Sequence, residues 1–229
     1  RDLTIEYALG GHPNSLLDTA DVVCLSGGVP IDLPILIEAA KRGVTISNDS
    51  QIFFEIVPCK TIGITGSAGK TTTTTLTSLI ANGRFAWQIA NSKWQIADGG
   101  AIRNTPSAIS HPPSARVWLG GNIGNPLIAD VDRMGKDDLA IIELSSFQLE
   151  QMTISPNISA VLNITPNHLD RHGTMEAYIN AKSHIVAYQK QDDIAVLGWD
   201  DENARDLKKI ARGKLWWFSQ THADNFGTH

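Results

Sequence analysis

Short apolar, β-rich runs alternate with stretches of helical spacing along most of this chain. Residues 22–25 read as a strand. Residues 33–42 read as a helix closed by Gly43, and 44–46 as the next strand. Residues 61–65 form a strand that feeds a glycine-rich turn, and the spacing predicts a helix over 70–81. Short buried strands follow at 116–119, 139–144 and 158–164. A helix is predicted over 174–189, then a strand at 194–197, a helix at 202–211 and a strand at 215–218. Such alternation predicts an α/β fold with a mostly parallel sheet and helices on both faces. Residues 48–58, ending at Pro58, read as a connection, which places a boundary near residue 58.

The stretch 83–115 breaks the pattern. Trp-Gln-Ile-Ala occurs at 87–90 and again at 94–97, and Pro-Ser-Ala at 106–108 and again at 113–115. The spacing of seven carries no heptad of apolar positions, so a coiled coil is not predicted. The segment reads as an inserted loop and is assigned no function.

Composition changes this picture little. The chain has 229 residues, a hydrophobic fraction of 42% and a net charge of −5. That suits one large domain, or one domain plus part of another. The acidic balance argues against a dedicated nucleic-acid binder. No apolar run is long enough to cross a membrane and no leader shape opens the chain, so a cytoplasmic protein is expected. Arg1 stands where an initiator Met would, so the chain reads as starting inside a longer protein. Cys24 and Cys59 have no metal or redox spacing and are expected to be small buried hydrophobes.

The sharpest chemical signal is Gly66-Ser67-Ala68-Gly69-Lys70-Thr71-Thr72, between a strand and a helix. Glycines let backbone N–H groups turn toward a polyphosphate, and the helix N-terminus adds a favourable field. Lys70 is placed to neutralise phosphate charge and the Thr71 hydroxyl to reach a Mg²⁺ ion. Ile64 stands where the longer form of this motif has glycine; the shorter form is complete. The strand 139–143 ends in Glu143, on the edge where parallel sheets bind ligands. Glu143 is either a hard oxygen ligand for Mg²⁺ or a solvated strand end. The loop 165–172 puts His168 on the same edge, as a metal ligand or as a surface histidine. Asp170 and Arg171 read as groups that would pair locally to fix the turn. Met175, Tyr178, Ile179, Lys182 and Val186 share one helical stripe, so Lys182 falls at a core position. It either snorkels to solvent or needs a partner.

Taken together these motifs resemble the Mur ligase family. The phosphate loop 64–72 matches that family's variant. Gly120-Gly121-Asn122-Ile123-Gly124 and the run 143–150 look like its D-glutamate-adding branch, and 163–172 and 178–182 continue the match in order. The resemblance covers roughly residues 16–82 and 116–218. It implies that 1–58 is the end of a Rossmann-like domain for a UDP-linked substrate and 59–229 an ATP-binding central domain. It implies an ATP- and Mg²⁺-dependent ligase that joins D-glutamate to UDP-N-acetylmuramoyl-L-alanine through an acyl phosphate. Gly66 to Thr72 would hold ATP. Thr71 and Glu143 would take a first Mg²⁺; His168 and a carbamylated Lys182 would take a second. Lys70, His168 and Lys182 would be the catalytic set. Gly28, Asn122, Ser145 and Gln148 would contact the muramoyl substrate. The chain is expected to be a monomer, with no nucleic-acid or membrane partner. It lacks the start of the first domain and the C-terminal domain of the family, so it is expected to be inactive alone. Asn167 departs from the family, which commonly has an acid there. Another Mur ligase or a ligase of the folylpolyglutamate type, and a non-enzymatic nucleotide-binding module or inactive ATP-binding fragment, are the competing readings.

Overall fold

A computed structural model describes residues 5–83, 96–97, 101–102 and 115–221 of the chain. The expected inserted loop at 83–115 and its repeats lie mostly outside the described residues. Within it, β4 (Ile96–Ala97) pairs antiparallel with β5 (Ala101–Ile102).

The first unit is small. β1 (Val22–Leu25) pairs in parallel with β2 (Thr45–Asn48), and α1 (Pro34–Arg42) crosses between them. Pro34 opens α1 with its φ already set for a helix, and Gly43 closes it at φ +73°, which a Cβ would oppose. Leu17, Leu25, Ile35, Leu36 and Ala39 form its core. Cys24 is exposed rather than buried. Successive strand side chains alternate faces, and in β1 only the face carrying Val23 and Leu25 meets this core. Cys59 is buried, as expected.

Residues 48–58 hold a helix where a plain connection was expected. α2 spans Asp49–Ile56. The Asn48 side chain accepts from the Gln51 amide and so caps it, and Pro58 disfavours helix at the residue before it. Phe53 and Phe54 are buried in the core of the second unit, and the Gln51 side chain bonds to Thr153. The 3% exposed Asn48 side chain also donates to the Gln148 carbonyl at 2.8 Å. α2 is therefore packed into the second unit.

That unit is built on a six-stranded sheet in which every pair is parallel. Its strands are β3 (Lys60–Thr65), β6 (Val117–Gly121), β7 (Leu139–Glu143), β8 (Ile158–Val161), β9 (Ile194–Gly198) and β10 (Lys214–Phe218), in the spatial order β10-β9-β8-β3-β7-β6. In β7, Ala140, Ile141, Ile142 and Glu143 are all at most 2% exposed. Alternate residues face opposite sides, so both faces of the sheet are covered. α3 (Lys70–Ala81) packs on β3, β6 and β7. α6 (Met175–Ala187) packs on β3 and β8. β8 is shorter than expected because the amide of Ile164 leaves the sheet for the Asp201 carboxylate, which also caps α7 (Glu202–Asp206) at Ala204. Beyond Asp206 the expected helix tightens into a 3₁₀ turn. Two further short helices, α4 (Ser146–Leu149) and α5 (Leu169–His172), lie in loops after strands. Among the described residues no helix is long and apolar enough to cross a membrane.

Asn48 joins the two units through buried hydrogen bonds. Asn48→Ala removes a helix cap and leaves the Gln148 carbonyl without that donor, so it should destabilise the chain by about 2 kcal/mol. Urea unfolding measures it; a loss below about 0.5 kcal/mol would show that the contact is dispensable.

Candidate active site

The chain order places β3 between β7 on one side and β8 on the other. Connections from β3 run first to the β6–β7 side and later to the β8–β10 side. The carboxyl end of β3 is thus the point where strand order reverses, where open α/β sheets bind ligands. Register sets Ile64 opposite Glu143 and Thr65 opposite Val161. The loops after β3, β7 and β8 therefore leave from one edge.

The loop after β3 turns at Gly66 and at Gly69, whose φ of +82° makes it the N-cap of α3. The amides of Lys70, Thr71 and Thr72 open that helix and have no intrahelical acceptors. With the helix field they form a place for an anion. The other half of the loop is held by the β8 side. Asn163 Oδ1 accepts from the amides of Ser67 and Ala68 at 3.0 and 2.9 Å, and its Nδ2 donates to the Ala68 carbonyl. Ser67 Oγ donates to the Thr165 carbonyl, accepts from the Thr165 amide and lies 3.0 Å from Tyr178 Oη. So the Ser67 and Ala68 amides, expected to face a phosphate, are engaged by Asn163 here. The sequence reading placed Asn163 and Thr165 only within a family-like run, and Tyr178 only there and on the apolar stripe of its helix, with no part in holding this loop. The available signal was position: Asn163 and Thr165 follow a strand on the loop's own edge.

Two lysines converge on this loop. Lys70 Nζ donates to the Gly66 carbonyl at 2.8 Å. Lys182, 1% exposed, donates to the same carbonyl at 3.1 Å and to Thr65 Oγ1 at 3.2 Å. Its head does not snorkel. Burial, with the nearby Lys70 charge as a smaller cause, pulls its pKa from 10.5 down to about 7. A large neutral fraction thus exists at neutral pH.

Glu143 is buried rather than solvated, at 1% exposure. Thr71 Oγ1 donates to its Oε2 at 2.8 Å and Asn122 Nδ2 to its Oε1 at 2.9 Å. A hydroxyl and a carboxylate beside a helix N-terminus are the hard oxygen donors that Mg²⁺ takes together with phosphate. The donor set therefore fits that ion. Among the described residues, no three His, Cys, Asp or Glu side chains group as a ready-made metal site. His168 is exposed, packs on Phe147 at 5.3 Å between ring centroids, and is the one non-glycine described residue with positive φ, +53°. Asn167 bonds to the His168 amide and steadies that turn.

The remaining expected residues separate into two places. Asn122 lies at Glu143. Gly28, at φ +89°, and Gln148 line one crevice between the two units with Phe147 and Arg171. Ser145 and Gln148 form a capping box on α4, and Gln148 Nε2 donates to Ser50. Asp170 and Arg171 make no ion pair with each other; Arg171 donates to the Val29 carbonyl of the first unit. His172 stacks on Phe147 and lies 3.0 Å from Ser146 Oγ, and burial lowers its pKa.

The model of the Mur ligase middle domain matches residues 64–228. The chain belongs to the Mur ligase family. The protein named UDP-N-acetylmuramoylalanine--D-glutamate ligase from Acetivibrio thermocellus is 34% identical over 96% of this chain and 41% of its own length. That of Pelotomaculum thermopropionicum is 38% identical over 96% of this chain and 43% of its own. The chain thus spans about two-fifths of these Mur ligases. Among solved structures, MurF ligase from Thermotoga maritima in complex with ADP is 18% identical, with a TM-score of 0.48, over 89% of this chain and 48% of that one.

The lysine has a pH signature. Lys182 is neutral in the folded chain above pH 7 but protonated in the unfolded chain up to about 10.5. Unfolding takes up a proton in that window, so this residue makes stability rise with pH, by up to about 1.4 kcal/mol per pH unit. It weakens folding as pH falls toward 7. Lys182→Met should remove that slope in urea unfolding in degassed buffer; parallel curves for the two proteins would contradict it.

Proposed function

We propose that this chain is the nucleotide-binding part of a cytoplasmic, ATP-dependent ligase that joins D-glutamate to UDP-N-acetylmuramoyl-L-alanine. The names of its relatives support the substrates. The observation that carries the nucleotide chemistry is the 2.8 Å contact between Thr71, at the start of α3, and the buried Glu143 at the end of the neighbouring strand. It supports this reading because a turn suited to phosphate and a carboxylate suited to Mg²⁺ meet at the switch point of the sheet. A cavity of about 420 Å³, lined in part by Ala68, Gly69, Asn163, Gly198 and Phe218, opens beside the same loop and suits a small ligand. In this reading, 1–58 serves the UDP-linked substrate and 59–229 serves ATP.

In the reaction, the substrate carboxylate attacks the γ-phosphate to give an acyl phosphate and ADP. The amine of D-glutamate then attacks the acyl carbon, and phosphate leaves. Such a transfer rests on positioning and on charge stabilisation. The amides of Lys70, Thr71 and Thr72, left without intrahelical acceptors at the start of α3, would cradle the phosphates. Lys70 exchanges the Gly66 carbonyl for phosphate oxygens and neutralises them. Thr71 and Glu143 would hold Mg²⁺, which would add positive charge beside the phosphates. Lys182, in its neutral form, would add CO₂ and release one proton; the carbamate would put an anion where the protonated lysine would be a buried cation and, with His168, would serve a second Mg²⁺. Gly28 and Gln148 line the crevice where the muramoyl group would meet this unit, and Ser145 caps the helix that carries Gln148.

Calorimetric titration of MgATP into the purified chain tests the reading. Saturable binding is expected, with Lys70→Ala at least roughly tenfold weaker, about 1.4 kcal/mol. A folded chain that binds no nucleotide, or a variant that binds equally well, would overturn it.

A further inference from the structure

Asn122 reaches Glu143 twice. Its backbone amide donates to the Glu143 carbonyl at 2.8 Å, and its side-chain Nδ2 donates to Oε1 at 2.9 Å. Thr71 takes the other oxygen, Oε2, at 2.8 Å. Two donors from two separate loops thus hold the two oxygens of one buried carboxylate. The close approach depends on Gly121. Its φ is +101°, and a Cβ there would lie 2.3 Å from the Glu143 carbonyl oxygen and 2.6 Å from Ile142 Cγ2. Any other residue would push this loop off β7 and carry Asn122 away from the carboxylate. The glycine pair before Asn122 is therefore a device for bringing an amide to Glu143.

The two donors differ in what they leave available. A hydroxyl that donates to Oε2 still has lone pairs for a cation, whereas an amide N–H on Oε1 presents only a proton. Mg²⁺ demands near-octahedral geometry and few carboxylate oxygens; Ca²⁺ accepts bidentate carboxylates and higher coordination numbers. A carboxylate clamped at Oε1 is biased toward giving one oxygen. We infer that Asn122 is a positioning residue that holds Glu143 as a one-oxygen ligand and so sets the preference of the nucleotide site for Mg²⁺ over Ca²⁺. This rests on the reading that Glu143 serves Mg²⁺. Partners that orient a metal ligand in this way commonly change metal affinity 10–100-fold when lost.

The test measures ATP affinity calorimetrically in Mg²⁺, in Ca²⁺ and in EDTA, for the chain and for Asn122→Ala, Asn122→Asp and Glu143→Gln. Asn122 is exposed, and Asn122→Asp keeps its shape, so a folded variant is available; thermal melting followed by circular dichroism checks each one. Asn122→Ala should lose about 10-fold or more of the Mg²⁺ enhancement and lose less of the Ca²⁺ enhancement, each taken relative to its own binding in EDTA. Asn122→Asp, which cannot donate and adds a second carboxylate, should move the preference further toward Ca²⁺. A merely structural role would change melting and leave the Mg²⁺-to-Ca²⁺ ratio alone. If Glu143→Gln abolishes the metal enhancement while both Asn122 variants keep the ratio of the parent chain, the inference is wrong and the Mg²⁺ reading stands. If Glu143→Gln leaves the enhancement intact, or the parent chain shows none, the Mg²⁺ reading fails and the inference falls with it.

Discussion

Parallel pairing of β3 with β7 and β8 is the constraint on which this molecule depends. In a parallel sheet every strand ends on the same edge, and each connection must return across a face before the next strand begins. Once β3 lies between two strands reached by opposite routes, the loops that follow all three meet at one place. The register that sets Ile64 opposite Glu143 also brings Thr71, six residues beyond the strand end, within hydrogen-bonding reach of that carboxylate. Nothing in the glycine-rich turn alone would supply a carboxylate beside the Thr71 hydroxyl; the neighbouring strand does.

Charge at this edge is divided. On the β7 side sits a buried carboxylate with both oxygens held by neutral donors. At the turn itself the amine heads of Lys70, from α3, and Lys182, from α6, share the Gly66 carbonyl. The first arrangement favours a cation and the second an anion. Burial makes the second costly for two cations, which is why Lys182 gives up its proton so readily. Low dielectric strengthens each of these interactions. It also means that a ligand's charge is felt more strongly here than at an open surface.

The first unit is tied to this edge by few contacts, and they are specific. Asn48 and Ser50 reach the capping box at Ser145 and Gln148, and Arg171 reaches back to Val29. Residues implicated by their resemblance to a substrate site are thus also the residues that set how the two units meet. Gln148 spends its side-chain amide on Ser50 and its side-chain oxygen on Ser145, so a change there disturbs α2 and α4 together.

The parallel α/β architecture, the glycine-rich turn between strand and helix, and the core position of Lys182 were legible in the residues, because each is local. Apolar runs of strand length, glycines before Lys70 and Thr71, and a lysine on an apolar helical stripe follow from period and turn chemistry alone. α2 was not legible as a helix: eight residues carry barely two turns, and its stability comes from Asn48 and from burying Phe53 and Phe54 in another unit. The role of Asn163, the approach of Asn122 to Glu143 and the exposure of Cys24 were hidden for a different reason. Each depends on which strands become neighbours and which faces remain uncovered. Sequence determined the elements and the chemistry each one carries, since those are set within a few residues. Tertiary structure decided which groups share a partner, since strand order and register bring residues about a hundred positions apart into contact, as with Ser67 and Asn163.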